Sequence, residues 1–229
     1  MSAGHGTQPG GVVFDCDGVL ADTTSCWDAA FCAAAREFGL ILGSGQLAEL
    51  RGAALASAAQ RMRAWSAGSP ALEEILLVLR EQLALSIDAS PLALIEGVQD
   101  LLAGLHGRVR LGVASNSPRG VLLRVLARLD ITHYFATAIS AEDVARPKPA
   151  PDPYLAACEA LGVDPRRSFA IEDSPVGIRS AVAAGLAVVE LAETPAPSLG
   201  LARPPDRALR VRSLTDQRIR PLLLGPATR

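Results

Sequence analysis

One segment near the N-terminus has few ways to fold. Gly11-Val12-Val13-Phe14 is built of strand-forming residues and is apolar on both faces. Such a strand fits a parallel sheet covered by helices on both sides. It runs directly into Asp15-Cys16-Asp17-Gly18. Residues i and i+2 of a strand share a face, so the two acids start out pointing the same way. At ~4 Å and an effective dielectric of ~20, their repulsion is on the order of 4 kcal/mol. A whole domain is stable by only ~5–15 kcal/mol. The pair is better explained by chemistry than by folding, with a cation or a proton between the charges. Cys16 points to the opposite face and is expected in the core.

The rest of the chain supplies a matching scaffold. With 229 residues, 49% hydrophobic and 20% charged, it can bury a sizeable core in one large domain or a domain with an insertion. Residues 1–10 read as a flexible tail. After the first strand come Ala- and Leu-rich helical stretches over Asp22–Phe38, Ala48–Trp65 and Pro70–Ser86, with a break at Gly43-Ser44-Gly45 and no strand signal between them. From Pro91 the pattern alternates. Strands are expected at Arg110–Ser115, Tyr134–Ser140, Ser168–Ile171, Ala187–Leu191 and Leu209–Arg212. Helices are expected at Gly97–Leu105, Pro118–Leu129, Pro151–Leu161, Pro175–Ala184 and Thr215–Leu224, and the proline-rich stretch 193–206 as an irregular loop. This β-α alternation predicts an α/β fold, a doubly wound parallel sheet of Rossmann type with an inserted helical cap. The core would span 11–19 and 92–229, the cap 20–91.

Charge and cysteines exclude several classes. A formal net charge of -2 gives no electrostatic reason to bind nucleic acid or an anionic membrane. No apolar run reaches membrane-spanning length, and Met1–Gly11 lacks an apolar signal core, so a cytoplasmic protein is expected. Cys16, Cys26, Cys32 and Cys158 form no CxxC pair. They read as reduced, mostly buried thiols, without a disulfide framework or zinc.

In an open α/β sheet, ligands sit beyond the carboxyl ends of the strands. Polar residues at those ends are Asp15 and Asp17, Ser115 and Asn116, and Glu172 and Asp173; the loop after the third strand brings Lys148. A carboxylate is ionised at neutral pH and can attack phosphorus without a base, which suits Asp15 as nucleophile. Asp17 is placed to protonate the departing alcohol and then deprotonate water. The Ser115 hydroxyl, the Asn116 backbone N–H and Lys148 would hold the phosphoryl group. The hard oxygen ligands favour magnesium over zinc. Asp15, Asp173 and the Asp17 backbone carbonyl would bind the ion, with Glu172 acting directly or through water.

The motifs Asp15-Cys16-Asp17-Gly18-Val19-Leu20, Ala114-Ser115-Asn116-Ser117, Lys148-Pro149-Ala150-Pro151-Asp152-Pro153-Tyr154 and Ile171-Glu172-Asp173-Ser174-Pro175-Val176-Gly177 occur in one order along the chain. In this the chain resembles the haloacid-dehalogenase-like hydrolase superfamily, in the branch of sugar-phosphate phosphatases and β-phosphoglucomutases with a helical cap after the first strand. The resemblance implies magnesium dependence, an aspartyl-phosphate on Asp15, and a small phosphorylated metabolite as substrate, a sugar phosphate first. A second aspartate at Asp17 marks phosphatases and phosphomutases rather than dehalogenases in this superfamily. The segment Asp22-Thr23-Thr24-Ser25-Cys26-Trp27 departs from the family pattern at Thr24, where glutamate is usual. Trp27 stands where the mutases typically carry histidine and several sugar phosphatases carry tryptophan. Hydrolysis is therefore expected ahead of phosphoglucomutase-like transfer, and both ahead of a non-catalytic binding module. Arg51, before Gly52 on a cap loop, is a candidate contact for a substrate anion beside Trp27. A monomer or weak homodimer is expected.

Overall fold

The computed structural model describes residues 10–192 and 208–224. Residues 1–9 of the expected tail and the whole proline-rich stretch 193–206 lie outside them. Strand β1 (Gly11–Phe14) is followed by four helices, α1 (Thr24–Glu37), α2 (Ser44–Leu50), α3 (Leu55–Trp65) and α4 (Leu72–Ala89). Alternation then begins with α5 (Val98–Leu105), β2 (Arg110–Ala114), α6 (Arg119–Arg128) and β3 (Thr137–Ile139). It continues through α7 (Asp152–Leu161), β4 (Phe169–Glu172), α8 (Pro175–Ala183), β5 (Ala187–Leu191), β6 (Leu209–Val211) and α9 (Ile219–Leu224). The strands form one six-stranded sheet in the order β3-β2-β1-β4-β5-β6. All five pairings are parallel. This is a doubly wound order, and β1 lies at its centre beside the point where the winding reverses.

The side-chain alternation of β1 explains why its run is apolar on both faces. Val12 and Phe14 pack into one cluster with α5, α6 and the inserted helices, whereas Val13 packs into the other with α7 and α8. Cys16 is buried in the first cluster, as expected. Cys26 and Cys158 are also buried, and all four cysteines are free thiols. No helix among the described residues is long and apolar enough to cross a membrane.

The main departures from the sequence reading lie among the inserted helices. The break expected at Gly43-Ser44-Gly45 lies earlier, over residues 38–43: Gly43 precedes α2, and its N–H donates to Gln46 Oε1 at 3.0 Å. The stretch Ala48–Trp65 is not one helix. It stops at Arg51, whose backbone turns extended, and Gly52 follows at φ +72°. A left-handed glycine past the last turn is a common helix stop. The interruption swings residues 51–53 towards the carboxyl ends of the strands. The third strand also starts later than expected, because Thr132–Tyr134 form a short 3-10 turn.

The chain leaves and re-enters the sheet through two segments that run side by side. Asp22 N–H donates to Ala93 O at 3.0 Å and Ile95 N–H to Leu20 O at 3.1 Å. At the end of β4, Gly177 leaves room for a carboxylate: a Cβ there would sit 1.7 Å from Glu172 Oε1, which is fully buried. Alanine has the better helix propensity, by ~1 kcal/mol, so in open space Gly177→Ala would stabilise α8. The opposite sign is expected. Urea denaturation should show Gly177→Ala destabilised by more than ~2 kcal/mol, the cost of displacing a buried, hydrogen-bonded carboxylate. An unchanged or raised midpoint would overturn this account of the loop.

Candidate active site

Asp15 and Asp17 emerge from the end of β1 into a cavity of about 140 Å³. Its wall also includes Trp27, Arg51, Asn116, Lys148 and Asp173, so seven of the nine residues singled out from the sequence share one chamber. Ser115 and Glu172 lie just behind it. Both are fully buried. The Ser115 hydroxyl is 3.3 Å from Asp17 Oδ2 and accepts from Ser117 N–H at 3.0 Å.

Lys148 ties the chamber floor together. Its ammonium donates to Asp15 Oδ1 at 2.7 Å and to Glu172 Oε1 at 2.6 Å, and only 3% of its side chain is exposed. It also lies 4.9 Å from the centre of the Tyr154 ring. The Tyr154 hydroxyl donates to Glu172 Oε1 at 2.7 Å. The other Glu172 oxygen accepts from Asp173 N–H and Ser174 N–H, each at 3.2 Å, and from the Ser174 hydroxyl at 3.1 Å. A carboxylate offers about four lone-pair directions, so Glu172 is saturated by protein donors. It acts as the anchor of Lys148. Tyr154 was not singled out in the sequence because one tyrosine in an apolar helix reads as core.

Asp17 is held by hydroxyls and an indole. Its Oδ1 accepts from the Thr23 hydroxyl at 2.6 Å and Trp27 Nε1–H at 2.9 Å; its Oδ2 accepts from the Ser117 hydroxyl at 2.5 Å. Thr23 takes the N-cap position of α1, but its hydroxyl serves Asp17 instead of capping the helix. Ser117 and Thr23 are therefore site residues that the sequence reading passed over. Ser117 shares the i, i+2 relation to Ser115 that made the two aspartates conspicuous, and that was the available signal.

Asn116 joins three elements through its side chain. Its Oδ1 accepts from Lys148 N–H at 2.9 Å, and its amide donates to Lys148 O at 3.2 Å and to Gly52 O at 2.9 Å. The loop that carries Lys148 is thus fixed to the end of β2 and to the inserted loop at once. Arg51, on that loop, makes a two-pronged pair with Asp28 of α1: Nε to Oδ1 at 3.0 Å and a terminal nitrogen to Oδ2 at 2.5 Å.

Asp15, Glu172 and Asp173 bring carboxylate oxygens within 4.8 Å of one another. Asp173 Oδ1 is buried and has no hydrogen-bond partner among the described residues. Gly18, at φ +82°, lets Asp173 in: a Cβ there would lie 2.1 Å from Asp173 Oδ2. A buried, unpartnered carboxylate oxygen facing other carboxylates fits a hard divalent cation. With Glu172 saturated, Asp15 and Asp173 are the direct ligands the geometry offers.

The electrostatics point the same way. Burial pushes the Asp15 carboxyl well above its ordinary value; Lys148 opposes this, while Glu172, Asp173 and Asp17 reinforce it. Burial and then the Glu172 charge push Asp173 up to about 7. Burial would lower the Lys148 ammonium, but Asp15 and Glu172 outweigh it and hold it above its ordinary value. For Asp173 the folded protein binds the proton more tightly than the unfolded chain. Stability therefore falls as pH rises from ~4, the ordinary carboxyl value, to about 7, and levels off above that. The loss is on the order of 4 kcal/mol. In EDTA, wild-type Tm should fall across this window relative to Asp173→Asn. Added Mg2+ should restore it at pH 8 far more than at pH 5. Parallel melting curves for the two proteins across this range would overturn the assignment.

The family model for haloacid dehalogenase-like hydrolases matches residues 12–191, which include every residue placed around the chamber. The fructose-1-phosphate phosphatase YqaB of Escherichia coli (strain K12) is 29% identical over 185 residues, 79% of this chain and 95% of that protein. The validoxylamine A 7'-phosphate phosphatase of Streptomyces hygroscopicus subsp. limoneus is 39% identical over 101 residues, 44% of this chain and 47% of that enzyme. Among solved structures, CbbY from Rhodobacter sphaeroides in complex with phosphate aligns with a TM-score of 0.76 at 25% identity, over 90% of this chain and 95% of that one. The chain belongs to the haloacid dehalogenase-like hydrolase family.

Proposed function

We propose that this protein is a magnesium-dependent phosphatase of small phosphorylated metabolites, sugar or polyol phosphates, working through an aspartyl-phosphate. One observation carries the reading. Asp15 is oriented by a buried ammonium at 2.7 Å, and a second carboxylate, Asp17, faces the same chamber two residues on. The two relatives compared above are named as phosphatases of phosphorylated small molecules, which points the same way.

The chemistry follows from the positions. An Asp15 oxygen attacks phosphorus, and the bond from phosphorus to the substrate's ester oxygen breaks. Asp17 gives that oxygen its proton, so the alcohol leaves neutral. Asp17 then takes a proton from water, which attacks the same phosphorus; the bond to Asp15 breaks, and inorganic phosphate leaves. Lys148 keeps the Asp15 carboxylate in place and stays cationic beside the transferring group. Thr23, Trp27 and Ser117 hold Asp17 at the chamber wall between the two proton transfers. Asp15, Asp173 and the backbone carbonyl of Asp17 would hold Mg2+, which when bound neutralises charge on the phosphoryl oxygens.

The inserted helices serve as a cap in this reading. Two crossing segments, around residues 18–22 and 92–97, provide a hinge. Closure seats residues 51–53 on the chamber, and the Asn116 amide bonded to Gly52 O latches it. Phosphate release from fructose 1-phosphate and p-nitrophenyl phosphate tests the reading. Asp15→Asn should lose at least ~10³-fold in turnover while its circular dichroism still shows the wild-type fold. EDTA should stop the wild type, and Mg2+ should restart it. Turnover retained by Asp15→Asn, or indifference to EDTA, would overturn the mechanism.

A further inference from the structure

The inserted helices and their loops give the chamber a wall that includes Thr24, Trp27, Arg51, Gly52 and Ala53. Whatever is attached to the phosphoryl group must rest against it. Trp27 has its only polar atom bonded to Asp17, so it offers this wall carbon alone. Gly52 and Ala53 add no charge. Arg51 is the wall's cation, and its charge is matched by Asp28 through two parallel hydrogen bonds. This is the strongest geometry an arginine–carboxylate pair adopts. The pair uses two of the five N–H donors of the guanidinium and leaves the others for neutral acceptors.

We infer that the substrate is the monophosphate of an uncharged polyol, and that Asp28 sets this preference by occupying the one cation that could otherwise hold a second anion. The inference rests on the phosphatase reading and narrows it. A carboxylate or a second phosphate at the far end of the substrate would meet a cation whose charge Asp28 already balances, with the Asp28 carboxylate beside the new anion. A hydroxyl takes a remaining N–H of Arg51 and disturbs nothing. Asp28 and Arg51 are therefore specificity residues, remote from the reacting atoms.

The test compares phosphate release from fructose 1-phosphate, 2-phosphoglycolate, fructose 1,6-bisphosphate and p-nitrophenyl phosphate. Wild-type kcat/KM should favour fructose 1-phosphate over both doubly anionic substrates by about tenfold or more. Asp28→Asn should shrink that ratio by about tenfold, through a lower KM for 2-phosphoglycolate and the bisphosphate. Arg51→Gln is the independent arm. It leaves Asp28 unpaired, so it should raise KM for 2-phosphoglycolate and the bisphosphate more than for fructose 1-phosphate and widen the ratio. A wild type that releases phosphate from p-nitrophenyl phosphate but prefers 2-phosphoglycolate or the bisphosphate overturns this inference alone. So does an unchanged or narrowed ratio in Arg51→Gln, or an unchanged ratio in a folded Asp28→Asn. Release from none of the four, p-nitrophenyl phosphate included, overturns the phosphatase reading itself.

Discussion

The buried ammonium of Lys148 is the interaction on which the site depends. Four carboxylates, those of Asp15, Asp17, Glu172 and Asp173, crowd the ends of β1 and β4. Lys148 neutralises part of that charge from inside the protein, bonded to Asp15 and Glu172 at once. A buried cation is itself expensive to desolvate, and removing one partner of such a pair typically costs 3–5 kcal/mol. The structure therefore commits much to keeping it in place. Tyr154 and Ser174 hold Glu172, Glu172 holds Lys148, and Asn116 grips the Lys148 backbone on both sides. This chain of contacts ends at Asp15 and fixes its orientation, as the proposed attack on phosphorus requires.

Two glycines make the crowding sterically feasible. Gly18 and Gly177 leave the spaces that Asp173 and Glu172 occupy, and a Cβ at either position would collide with a carboxylate oxygen. The charge left over once Lys148 is counted falls on Asp15 and Asp173. The unpartnered Asp173 Oδ1 lies there. Protein atoms alone leave this corner unsatisfied, in keeping with a binding place for a cation.

The inserted helices follow different rules. Their interior is aliphatic, with Leu79, Leu83 and Met62 fully buried, and they reach the chamber only through α1 and the interruption between α2 and α3. Trp27 and Arg51 both arrive there already bonded, one to Asp17 and the other to Asp28. On the proposed reading, reactivity is set at the strand ends, whereas selectivity is set by side chains whose charge and polarity the insertion has mostly used up internally.

By itself the sequence determined the α/β sheet, the acids at the end of β1 and the other strand-end residues that meet them. Those signals are local: alternation period, apolar runs and short motifs, each read within a few residues. The break at Arg51–Gly52 was hidden because one glycine between helical patterns does not reveal a positive φ. Tertiary structure alone decided what each group bonds to. Four donors from Tyr154, Asp173 and Ser174 turn Glu172 to Lys148. Arg51 lines the chamber with its charge already paired to Asp28, one turn into α1. A hydrogen bond between residues 23 or 24 positions apart leaves no periodic trace in the sequence, because it depends on how whole elements pack.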